Sequence, residues 1–307
     1  MEMTMQMIRS TFSALLVSLI LTPLNSSAAE PDRNEPQAID IVTREYTIEG
    51  PEKLDLGWHR FRFRNLGGQA HFVAFYKLVE GKTIEDQLRE VVPVFDPLME
   101  GLRSGELTKA DIGPFLQEHM PAWGMQMTWA GGPGLMAPGK ISYATIELTE
   151  PGIYLMECYV KAPDGQWHTS MGMLQQVEVT SERGGIPEPK ADSEVSVRNA
   201  GIEAPTRLPA GPQTIRVNFL ENPPGPVPFD LHLARLDSDT DLDKVAHWMD
   251  WSNVGGLRAP APVEFVGGME QLPAGNHGYV TVDLKPGRYL WISKSNAGEM
   301  NSTFEVE

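Results

Sequence analysis

The chain has 307 residues, room for two ordinary domains, and its 41% hydrophobic content excludes a disordered polymer. A formal charge of -16 at pH 7 argues against nucleic acid as a partner, because its phosphates would repel such a surface. The 29 glycines and 25 prolines point to the frequent turns of an all-β protein, and a single cysteine rules out an internal disulfide.

Residues 1–29 carry Arg9 in a short polar region, an apolar run from about Phe12 to Leu21, and Ser27-Ala28-Ala29 as a small-residue cleavage site. This is the pattern of a secretory signal peptide, with an uncleaved N-terminal anchor as the alternative. The apolar run is short for a membrane span. The mature chain is therefore expected to be exported, periplasmic or secreted, without a transmembrane segment. Met1, Met3, Met5 and Met7 leave with the leader. In an oxidising compartment the unpaired Cys158 is a chemical liability that ligation of a metal would account for.

After a polar lead-in, Tyr46–Gly50 and Arg60–Arg64 read as strands, the second with Phe61 and Phe63 on one face and arginines on the other. A Gly-rich turn at Asn65–Gln69 leads to His71 at the start of the apolar strand running to Leu78. Thr83-Ile-Glu-Asp86 has the form of a capping box opening a short helix through Val92. Residues 95–136, broken by Pro97, Gly105, Pro114 and Pro121, read as irregular or weakly helical. Within them Met120–Trp129 is rich in Met and Trp and suits either apolar packing or a site for a soft metal ion. Strands resume at Ile141–Leu148, Ile153–Val160 and Leu174–Val179, and residues 181–194 read as a linker.

The remainder repeats the first part. Pro138–Leu148 matches Ala274–Leu284, Pro151–Cys158 matches Pro286–Ser293, Phe229–Leu236 lies over His71–Leu78, and Asp241–Met249 lies over the capped helix. The ligand-type residues do not repeat: Cys158 becomes Ser293 and His71 becomes Phe229. This gives a first domain at 38–180 and a second at 195–307, the second without metal ligands.

Residues 151–173 bring Cys158, His168, Met171 and Met173 onto one strand-loop-strand, and thiolate, imidazole and thioether together suit copper. The order Cys, His, Met with an upstream strand histidine resembles the ligand loops of the cupredoxin, or type 1 blue copper, family. Nine residues separate Cys158 from His168 and four separate His168 from Met173, which is similar to the copper domain of copper nitrite reductases. The resemblance implies two tandem cupredoxin-like Greek-key β-sandwiches, each with a short helical insertion, the second degenerate. It also implies one type 1 copper held by His71, Cys158, His168 and Met173, with Met171 as the alternative axial ligand. Phe72 stands where that family often carries an asparagine tying the ligand loops together.

Two-domain relatives of this kind include enzymes, but those carry a histidine beside the copper cysteine, and here the neighbours are Glu157 and Tyr159. The expectation is therefore a non-enzymatic, outer-sphere electron-transfer protein, with a copper carrier or chaperone and a metal-free β-sandwich binding module as alternatives. Its electron is expected to leave through an exposed edge of His168, beside Trp167, toward a redox partner with a basic surface. His59, His119, His232, His247 and His277 lack metal-ligand spacing and read as structural or surface residues.

Overall fold

Alternating side chains set the sheets: in Lys53–Asn65 (β3), Phe61 and Phe63 are buried while Arg62 and Arg64 face outward. The computed structural model describes residues 37–225 and 227–307, so the leader expected at 1–29 lies outside the described residues. Around β3 the first half adds β1 (Ile39–Arg44), β2 (Thr47–Glu49), β4 (Ala74–Lys77), β5 (Thr128–Trp129), β6 (Ile141–Leu148), β7 (Gly152–Glu157) and β8 (Leu174–Arg183). The second half comprises β9 (Ser193–Arg198), β10 (Gly201–Glu203), β11 (Arg207–Leu208), β12 (Gly211–Phe219), β13 (Leu231–Leu236), β14 (Glu264–Met269), β15 (His277–Leu284), β16 (Gly287–Ile292) and β17 (Asn301–Val306). The fold is all-β, with short helical insertions in both halves. They are α1 (Ile84–Asp86), α2 (Phe95–Ser104) and α3 (Ile112–His119) in the first half and α4 (Leu242–Met249) in the second.

The pairings of the first half recur in the second. β1 runs parallel to β3 with Ile41 opposite Phe63, as β9 does to β12 with Val195 opposite Val217. β3 pairs antiparallel with β6 at Phe61 and Ala144, as β12 does with β15 at Ile215 and Val280. Even the two-residue β5 on β4, with Trp129 opposite Tyr76, has its counterpart in Phe265 of β14 opposite Ala234 of β13.

The halves meet about a pseudo-two-fold axis. β6 and β15 pair antiparallel with Ala144 opposite its own counterpart Val280, and Pro133 bridges Met269, each lying four residues beyond the matched Trp129 and Phe265. This is the self-matching geometry of a symmetric dimer, within one chain. One apolar core runs through both halves, from Ile41 to Val306.

One difference between the halves has a plain cause. β3 pairs with β6 and, across a bulge at Leu54/Leu56, with β8, so it joins the first half's two sheets into one of twelve strands. In the second half Pro209 interrupts the equivalent run, since proline has no N–H for the ladder. β11 and β12 are thereby separated, and a five-stranded sheet stands apart.

The insertion at 95–136 is more helical than its prolines suggest. Pro97 and Pro114 each fall in the first turn of α2 and α3, where the missing N–H is not needed. The Thr83/Asp86 capping box forms, and the chain continues from α1 into a π turn at Gln87–Val91. Trp123 and Met127 of the Met/Trp-rich stretch pack on Tyr76, Leu78, Leu155 and Leu174, while Met125 is 44% exposed. Among the described residues no helix is long and apolar enough to cross a membrane.

Candidate metal centre

Two loops at one end of the first half supply the donors. In the first, the Asn65 side chain donates to the carbonyls of Gln69 (2.7 Å) and Met136 (2.9 Å) and accepts from the Gly67 N–H (2.9 Å), which folds the Gly-rich turn back on itself. His71 then exchanges backbone hydrogen bonds with Met136 at 3.1 and 2.8 Å. In the second, β7 ends at Glu157, and Ala162–Gly165 turns the chain back through the 2.8 Å bond from Gly165 N–H to the Ala162 carbonyl. A further 2.8 Å bond, His168 N–H to the Val160 carbonyl, closes the loop.

These loops bring three of the expected ligands together. Cys158 Sγ lies 3.8 Å from His71 Nδ1 and 3.7 Å from His168 Nδ1, and all three side chains are 0% exposed. The three donor atoms fall within 4.8 Å of one another. Bonds of about 2.1–2.3 Å meeting at about 120° would place ligand atoms roughly this far apart, which suits a trigonal His₂Cys site. Both imidazoles present Nδ1 to the sulfur. The far nitrogen of His168 donates to Gln69 Oε1 at 3.1 Å, fixing the tautomer that leaves Nδ1 free. His71 Nε2 is buried without a hydrogen-bond partner and faces Gly67, where a Cβ would stand only 2.9 Å from it.

The tie between the loops does not need an asparagine at position 72. Gln69, on the His71 loop, holds His168, while the backbone amides of Phe72 and Val160 hydrogen-bond the Cys158 sulfur. Burial dominates the electrostatics. It lowers His71 to about 4 and, with His71 beside it, His168 to about 3, and it raises the Cys158 thiol to about 12 against the two amides. Without metal the centre is thus two neutral imidazoles and a protonated thiol, an uncharged donor set.

Met171 and Met173, two residues apart and so on one side of any extended strand, are separated by the backbone. Thr169–Met171 is a 3₁₀ turn rather than extended strand, and Gly172 adopts the left-handed conformation (φ 106°) before β8 begins at Leu174. Met173 is thereby returned to the core, its N–H bonded to the His168 carbonyl (2.9 Å) and its carbonyl accepting from the Cys158 N–H (3.2 Å). Met171 is left half-buried on the turn.

An exposed edge of His168 is not what the fold provides. His168 is fully enclosed and Trp167 is only 4% exposed, because Phe95 at the start of α2 and Trp251 from the second half pack edge-to-face or tilted against Trp167. Lys161 adds a lid from inside, its ammonium 4.5 Å over Trp167 and bonded to the carbonyls of Trp251 and Asn253.

His232, expected to be a structural or surface residue, is a structural one in charged company. It is buried with Asp230, Glu270 and Lys294 in a charged cluster at the interface of the halves. Its Nε2 lies 3.5 Å from Asp230 and 3.7 Å from Glu270. However, its Nδ1 accepts the Leu135 N–H at 3.0 Å, which leaves the ring proton on Nε2 and makes the ring a poor metal ligand there. The cation of this cluster is Lys294, 2.7 Å from Glu270 and 3.3 Å from Asp230. Burial alone would raise Asp230, but Lys294 and His232, with the hydrogen bonds from both, together more than offset this and hold it well below the usual carboxylate range. The signal in the sequence was a polar pair, Glu270-Gln271, inside an otherwise apolar stretch.

No protein-family profile and no curated protein matches this chain. Among solved structures, auracyanin B is similar at 20% identity, covering 39% of this chain and 92% of its own, with a TM-score of 0.29. An azurin from the methylotroph Methylomonas sp. strain J is 14% identical over 38% of this chain and 99% of its own, with a TM-score of 0.29. A multicopper oxidase is 15% identical over 90% of this chain and 94% of its own, with a TM-score of 0.24.

Proposed function

We propose that the protein is an exported type 1 copper protein that transfers single electrons. The observation that carries this reading is the buried triangle of Cys158 Sγ with two imidazole Nδ1 atoms at 3.7 and 3.8 Å. Met173, buried behind the His168 turn, would be the fourth ligand in this reading. Copper bound there would supply a one-electron Cu(II)/Cu(I) couple whose two states these soft and borderline donors both accept.

The chain's own part is to hold the donors and keep water out. Gln69 fixes the His168 tautomer, the Phe72 and Val160 amides steady the sulfur, and the Phe95–Trp167–Trp251 cluster seals the loop. With four protein ligands no position stays open for substrate, in contrast to a catalytic metal site. Glu157 and Tyr159, rather than a histidine, flank Cys158, so the chain lacks the link to a second copper on which oxidases and reductases of this kind depend. A carrier would need accessible ligands, and enclosure of all four favours electron transfer instead.

The route outward in this reading runs from His168 through the adjacent Trp167 ring, not through a bare imidazole edge. Trp167 lines a shallow cleft of about 710 Å³ with Asp96, Glu100, Arg103, Asp164 and Ser170. Its acidic balance suits a redox partner with a basic surface. Residues 195–307 form the metal-free half, with Ser293 and Phe229 in place of the ligands.

A visible spectrum of the copper-loaded protein tests the reading. An intense thiolate-to-copper charge-transfer band with one copper per chain is expected, and it should vanish in Cys158→Ser. A band that survives this substitution would reject the site.

A further inference from the structure

We propose that Lys294 and Glu270, both from the second half, are positioning residues for the centre at Cys158 and set its reduction potential through their opposite charges. The inference rests on the copper reading above.

The geometry follows from the pseudo-two-fold. Lys294 occupies the place in β16's exit that Tyr159 occupies after β7, and Asp230 the place of Phe72. Across the axis these counterparts meet. Lys294 Nζ donates to Tyr159 Oη at 2.7 Å and lies 4.1 Å over the Phe72 ring and 4.6 Å over the Tyr159 ring. The two rings stand edge-to-face at 4.5 Å. Tyr159 follows Cys158 in the chain, and Phe72 follows His71 and gives its amide to the sulfur. The ammonium is therefore one residue removed from two ligands at once. It is not the end of the network. Glu270 meets it at 2.7 Å, Asp230 holds its backbone N–H at 2.7 Å, and Gln271 bonds Tyr159 Oη at 2.5 Å and Asp230 at 3.2 Å.

Phe72, Asp230, Glu270, Gln271 and Lys294 are buried and Tyr159 partly so, and charges there are screened far less than at the surface. The Lys294 ammonium, paired with Glu270 at 2.7 Å, stands against the two residues that directly follow His71 and Cys158, so the fields of both charges reach the sulfur. The same fields act on a metal at that sulfur. A positive charge disfavours the oxidised, more positive metal, and a negative charge favours it.

The test uses the full-length, copper-loaded protein and its Lys294→Met, Glu270→Gln and doubly substituted forms. The intensity of the charge-transfer band verifies the site, and the midpoint potential is the readout. Lys294→Met should lower the potential and Glu270→Gln raise it, each by about tenfold in the Cu(II)/Cu(I) ratio, or 59 mV for one electron. The double variant should return close to wild type. Should Lys294→Met not fold, Asp230→Asn serves beside Glu270→Gln, and both must then raise the potential. Shifts of the same sign for Lys294→Met and Glu270→Gln, or shifts under twofold, would mean that the cluster only braces the fold, and would overturn the inference while leaving the copper reading intact. A wild-type protein without the band would instead overturn that reading, before any variant is made.

Discussion

Gln69→Ala removes the hydrogen bond from His168 together with a longer one to Tyr46 Oη at 3.3 Å, and so measures what the tie between the two ligand loops contributes. The Gln69 Oε1 atom is the acceptor for His168 Nε2 at 3.1 Å, and His168 is fully enclosed, so its N–H has no alternative partner in place. Leaving a buried donor unsatisfied costs about 1–3 kcal/mol. Gln69 itself is half-buried, so water can partly replace it, and a loss of about 1 kcal/mol in the stability of the metal-free protein is expected. The larger effect falls on the metal. The free imidazole can change tautomer or turn, whereas only the Nδ1 lone pair facing Cys158 ligates, so the hydrogen bond selects the competent state. Removing such an outer partner typically weakens metal affinity about 10–100-fold. Chelator competition for Cu(II) gives the affinity and thermal unfolding gives the stability. Copper affinity within twofold of wild type, together with an unchanged charge-transfer band, would show that Gln69 does not orient His168 and would refute the reasoning.

Copper uptake by the metal-free protein should release one proton per ion near neutral pH, because the thiol is raised to about 12 while the imidazoles, at about 4 and 3, are already neutral. Apparent affinity should then rise about tenfold per pH unit from about pH 6 to 9, and calorimetry in buffers of different ionisation enthalpy counts the proton; a count of zero would contradict the buried thiol. The two histidines also predict acid sensitivity. Their folded values lie below the ordinary 6.5, so the unfolded chain binds protons more tightly, and their contribution to stability is complete above about pH 6.5 and is lost as pH falls through about 4 and 3. A tenfold weakening of proton binding corresponds to about 1.4 kcal/mol, so the loss amounts to several kcal/mol, and an unfolding temperature unchanged between about pH 7 and 4.5 would count against it. Finally, Met173→Leu should alter the spectrum and raise the potential while Met171→Leu leaves both unchanged, and the reverse pattern would move the axial ligand to the turn.

Much of the centre was legible because its donors are chemically rare in this chain. A lone cysteine, with a histidine and methionines close behind it, needs few alternatives weighed. The Phe61/Phe63 alternation and the two Pro-Gly-x-Tyr segments likewise fix strands and repeat by purely local pattern. What escaped was set by contacts far apart in sequence. Exposure of His168 depends on Phe95 and Trp251, neither of which its own loop reveals. The turn at Thr169–Met171 depends on Gly172 reaching a positive φ, which turned an apparent strand parity between two methionines into opposite fates. The charged cluster was invisible for a related reason, since Asp230, His232, Glu270 and Lys294 meet only when the halves close. That closure also bears on experiment. With β6 paired to β15 and one core common to both halves, residues 195–307 alone would expose a sheet edge and an apolar face, so the expectation that they hold no copper is better tested by Cys158→Ser in the intact chain.

The pairing of Ala144 with Val280 and of Pro133 with Met269 has a further meaning. In a dimer of identical subunits any substitution beside the axis arises twice, once on each side, so a lysine facing a tyrosine would bring its mirror image with it. Two copies on one polypeptide escape that constraint. Each side of the axis can differ, and here one side carries Cys158, Tyr159 and Phe72 while the other carries Ser293, Lys294 and Asp230 at the matched positions. Covalent linkage lets a self-matching surface become a lock with two different faces.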